Sequence, residues 1–138
     1  MPAAAARARY LADAVATATP AKRIVLLYDR LWLDIQRGQA AQDCADPAAR
    51  DHLQHAQQIV AELLGSLDTE SWAGAADLAS LYGYLLRELI AEGIAPAAGR
   101  LATVTRIVSE LRASWQQAEE KLADGGADPA TREAARVG

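Results

Sequence analysis

Between Ile24 and Ile35 the chain reads IVLLYDRLWLDI, and apolar residues take up more of that stretch than one buried helix face can use. Ile24, Leu27, Tyr28, Leu31 and Ile35 recur at steps of three and four, the stripe of a helix packed against neighbouring helices. Val25, Leu26, Trp32 and Leu33 lie off the stripe. A helix apolar nearly all round is central in a large core or is covered on its second side. Both a partner and a further segment of the same chain remain open as that cover.

Punctuation residues divide the rest of the chain into four such helices. Thr19 as N-cap and Pro20 at the first helical position predict a helix from Pro20 to about Gln42, with Gly38 tolerated at some cost. Asp46 and Pro47 repeat that signature ahead of a helix over 47–66, whose Leu53, Ala56, Val60, Leu63 and Leu67 share a face away from His52, His55 and Gln58. Ser71 caps a predicted third helix over 72–92, with Leu78, Leu81, Tyr82, Leu85 and Leu89 on one face and Gly93 as its stop. Pro96 opens the fourth. Leu101, Val104, Val108, Leu111, Trp115, Ala118 and Leu122 form an unbroken seam that places Trp115 in the core, and Gly125 and Gly126 end the helix. Short connections force neighbours to run antiparallel, so the predicted fold is all-α: an antiparallel up-down four-helix bundle over 20–123. Tyr10, Leu11 and Val15 give a short N-terminal helical cap segment within 1–19, and 124–138 reads as a disordered tail.

Composition narrows the function. The 138 residues suffice for one domain, and the absence of Phe with abundant Ala and Leu suits helices. A net charge of -4 argues against a nucleic-acid partner, because phosphate binding draws on clustered Lys and Arg. No run spans a bilayer, no signal peptide is evident, and Cys44 stands alone, which together point to the cytoplasm. His52 and His55 lack the Glu-x-x-His partner of a bundle metal site, and no nucleophile turn or phosphate loop is present. No catalytic residue, metal or cofactor is therefore expected. Asp29, between Tyr28 and Arg30, either faces solvent or holds a tyrosine or a partner's backbone.

Tyr10, then Thr19-Pro20-Ala21-Lys22, then Leu27-Tyr28-Asp29 resemble the N-terminal signature of the flagellar export chaperone family FliS. Ser66-Leu67-Asp68, the run Leu81 to Arg87 and the segment Leu111-Arg112-Ala113-Ser114-Trp115 resemble that family's later motifs in the right order. The sequence departs from the pattern at Gly83, where Asp is usual, at Arg30, where glycine is usual, and over the turn from Glu70 to Ala76. The resemblance implies a cytosolic chaperone that binds the C-terminal segment of flagellin, blocks premature polymerisation and delivers the subunit to the flagellar export apparatus, with the export gate as a further partner. Helix-in-groove recognition with coupled folding is the physical logic.

Partner-binding expectations have two sources. Tyr10, Tyr28, Asp29 and Tyr82 carry over by motif position, with Leu86 beside them, whereas Val25, Leu26, Trp32 and Leu33 follow from surplus apolarity. Trp32 at a bundle end is the competing reading. The segment around Tyr10 reads either as a lid displaced by flagellin, hinged at Thr17 to Thr19, or as a permanently packed helix. The free protein is expected as a monomer or weak dimer. A helical scaffold that self-associates through its exposed apolar face is the alternative function.

Overall fold

The computed structural model describes residues 20–124, and every regular element among them is a helix. In chain order these are α1 (Pro20–Asp43), α2 (Ala49–Ser66), α3 (Ala75–Ile94) and α4 (Arg100–Asp124). Thr19 as a cap, Tyr10 and its cap segment, and the tail beyond Asp124 lie outside the described residues. Residues 27–111 form one compact unit, and 20–26 together with 112–124 belong to a second.

All four helices enter the larger unit. Gly38 on α1 faces Leu53 on α2, Gln57 on α2 donates to the Leu89 carbonyl on α3, and Arg100 on α4 pairs with Glu88 on α3. Gln36 on α1 donates to the Thr105 hydroxyl on α4. Each partner pair joins the late part of one helix to the early part of the other, so sequential neighbours run antiparallel and the fold is the expected all-α four-helix bundle. Leu31, Ile35, Leu53, Val60, Leu85, Leu89, Val104 and Val108 are its largest fully buried aliphatic side chains. Each contributes about 1.5–3 kcal/mol through removal from water.

The helix ends show where local signals compete. α1 closes in a Schellman turn: the amides of Ala45 and Asp46 donate to the carbonyls of Gln42 and Ala41, and Ala45 takes the left-handed φ of 55° that glycine usually supplies there. Asp46 accepts from the Ala48 amide through its carboxylate, yet α2 begins at Ala49, two residues after Pro47. Ser71 does not cap α3; its hydroxyl donates to the Asp68 carbonyl, and the helix starts at Ala75 behind Gly74. Gly93 does not stop α3, which runs on to Ile94. Pro96 does not open α4, because Gly99 first turns the chain with a φ of 82°. Glu92 stabilises that corner. Its buried carboxylate accepts from the Ala97 amide at 2.9 Å and lies 3.9 Å from Arg100, which itself donates to the Ala95 carbonyl.

The predicted seam of α4 holds only in its first half. Leu101, Val104 and Val108 are buried, but Trp115 is half-buried and Leu122 is 56% exposed. A period of three and four reports which side chains share a face, not how far along the helix a neighbour continues to cover it.

Candidate partner-binding surface

Two tyrosines expected to touch a partner are interior. Tyr28 and Tyr82 are buried, their hydroxyls 2.6 Å apart and their rings tilted across α1 and α3. Each apolar ring fills the core while its hydroxyl finds the only kind of partner that makes burial tolerable. Burial raises the Tyr82 pKa above its ordinary 10.0, and the hydrogen bond from Tyr28 offsets part of that rise. Val25 is likewise buried, so these three side chains, expected on a partner-binding face, lie in the interior of this structure and shape the bundle from within.

The surplus apolarity of α1 thus narrows to Leu26, Trp32 and Leu33, all half-buried, with Asp29 half-buried among them. At about 100° per residue, Asp29, Trp32, Leu33 and Gln36 occupy the flank beside the buried stripe. Leu86 on α3 is half-buried too.

A further apolar surface lies on α3, where the sequence places Tyr82 and Leu86. Ala79, Gly83, Leu86, Ile90 and Ile94 step by four, three, four and four along a face beside the buried stripe, and Ile90 and Ile94 are 41% and 80% exposed. Ile90, Gly93 and Ile94 line a cavity of about 150 Å³ with Arg50, Leu53, Gln54 and Gln57 of α2. The repeating step was legible in the sequence; it is masked there by the stronger stripe through Leu78, Tyr82, Leu85 and Leu89. Arg87 folds back along α3, so that a Cβ built on Gly83 would stand 3.3 Å from its Nη1.

The second unit has an apolar cavity of its own, of about 500 Å³, lined by Pro20, Ala21, Ile24, Trp115, Glu119, Leu122 and Ala123. Trp115 is therefore a cavity wall, which corrects its assignment to the core.

Charged groups inside the bundle serve structure. Asp34, fully buried on α1, receives His55 Nδ1 from α2 on one oxygen, while Arg30 Nε lies 3.1 Å from the other without hydrogen-bond alignment. Asp29 was the carboxylate expected to be unusual; Asp34, one turn and a residue later, is the buried one. Among the described residues no group of three His, Cys, Asp or Glu side chains is placed to hold a metal, and no helix is long and apolar enough to cross a membrane.

The geometry of the described residues is that of a helical bundle with apolar furrows. No individual curated protein matches the chain. The family model described as "Flagellar protein FliS" matches residues 2–122, which include all but the end of the fourth helix, and the chain belongs to that family of flagellar export chaperones.

Proposed function

We propose that this chain binds the C-terminal segment of flagellin in the cytoplasm, prevents its premature polymerisation and passes it to the flagellar export gate. The observation that carries this reading is the ridge Leu86, Ile90 and Ile94, which leaves apolar surface beside α2 that a soluble protein gains nothing by exposing. A filament subunit's terminal segment is itself apolar, so its amphipathic helix covers the ridge while losing the surface through which it would polymerise. Asp29, Trp32 and Leu33 on α1 belong to the same compact unit and offer further contact, and the Trp115 cavity is a separate apolar site in the other unit; Tyr28 and Tyr82 hold the helices of the larger unit together. Ordering the peptide costs several kcal/mol, and wide burial of apolar area offsets it without any nucleotide.

Calorimetric titration of the full chain with a flagellin C-terminal peptide tests the reading, with sedimentation of the free protein in parallel. One-to-one binding by a monomer, weakened about tenfold or more by I90D, is the expected result. Absence of binding by a protein that sediments as a dimer would instead establish the self-associating scaffold.

A further inference from the structure

The ridge on α3 is bordered by positive charge in a chain whose net charge is -4. Arg50 lines the cavity at the Ile90 to Ile94 end. Arg87 lays its guanidinium over Gly83, toward the other end. Among the described residues neither arginine has an ion-pair partner, whereas Arg30 and Arg100 are both paired with carboxylates. None of the helix neighbours that could neutralise Arg87, at Gly83, Tyr84, Ile90 and Ala91, carries a carboxylate, and Gly83 offers no side chain at all. Gln54 and Gln57 are the other polar residues lining the cavity, so no acidic side chain shares it with Arg50.

We propose that the α2–α3 furrow selects a helix whose apolar stripe is flanked by carboxylates, one set against Arg50 and one against Arg87. Along α3 the ten residues from Gly83 to Gly93 rise on the order of 15 Å, or about three helical turns, so the matching acidic residues of the ligand stand roughly ten or eleven positions apart. The stripe supplies affinity and the two arginines supply orientation and choice of ligand, since charges at an interface rim act mainly on specificity and on-rate. An arginine over a bare backbone remains free to fork onto a partner's carboxylate. The inference rests on the flagellin reading only for the identity of the natural occupant.

The test uses two synthetic amphipathic helical peptides with one apolar stripe, flanked by glutamates in the first and by lysines in the second, titrated into the full chain by fluorescence anisotropy. The glutamate peptide should bind about tenfold more tightly at low salt, and the gap should close as ionic strength rises. G83D, which places a carboxylate within reach of Arg87, and R50E should each shrink the preference severalfold. I90D should weaken both peptides alike, and thermal melting of every variant checks that it folds. Equal binding of the two peptides, or a preference that G83D and R50E leave intact, overturns the proposal. A flagellin C-terminal peptide in a third arm separates the two readings: binding that ignores I90D and R50E sinks the furrow and spares the chaperone, while a glutamate preference without flagellin binding does the reverse.

Discussion

The hydroxyls of Tyr28 and Tyr82 meet 2.6 Å apart inside the bundle, joining α1 to α3 between residues 54 positions apart in sequence. Deleting one hydroxyl leaves the other buried with a lost partner, so Y82F should cost about 1–3 kcal/mol. Replacing both should cost less than the sum of the single changes, and urea unfolding of the four-member cycle measures the coupling. The same pair carries a pH dependence. Because the folded Tyr82 pKa stands above the unfolded 10.0, its contribution is complete below pH 10 and declines as pH rises through the folded value, where the unfolded chain releases its proton first. Wild type should therefore lose more stability than Y82F between pH 9 and the folded pKa; identical profiles would contradict the assignment.

Asp34 is wholly buried while His55 is 44% exposed on its side chain, so the imidazole shields the carboxylate from one side only. H55A strips that partner and leaves Arg30 alone, which should cost about 1–3 kcal/mol. H55A combined with D34L should recover much of the loss, because an apolar side chain needs no partner there. Thermal unfolding of the single and double variants decides it.

Ala45 occupies a left-handed conformation that costs an L-residue about 1–2 kcal/mol and glycine almost nothing. A45G should raise stability by about 0.5–1 kcal/mol after the entropy cost of glycine is subtracted. A lower urea midpoint for A45G would show that the turn is not under strain.

Trp115 walls an apolar cavity instead of filling the core. In a variant with Trp32 and Trp72 replaced by tyrosine, its emission should shift to the blue when a flagellin C-terminal peptide saturates the protein. W115A should weaken that peptide more than it lowers the melting temperature. A saturated complex with unchanged emission would remove the cavity from the binding surface.

The fold was largely legible because helix faces are written locally. Tyr28, Leu31 and Ile35 are buried where their spacing put them, and so are Leu53, Ala56, Val60 and Leu63. The candidate surface was less so. Surplus apolarity on α1 suggested Val25 and Trp32, but Ile90 and Ile94 are the more exposed, since exposure depends on where a neighbouring helix ends. Asp34 could not be told from other helical carboxylates, as its partner His55 lies on a different helix, 21 residues away. Gly93 and Pro96 misplaced the corner between α3 and α4 because the Glu92 carboxylate, a tertiary cap, outweighs the usual residue preferences there.

Gly38 packs tightly against α2, since a Cβ there would stand 2.9 Å from Leu53 Cδ2. Asp34 and His55 sit one turn along the same helix pair. A single methyl at position 38 would press on the Leu53 side chain, one turn from the bond between imidazole and carboxylate. Shape at one level of the bundle thereby bears on charge at the next, which makes the smallest residue on α1 the keeper of its most deeply hidden ion.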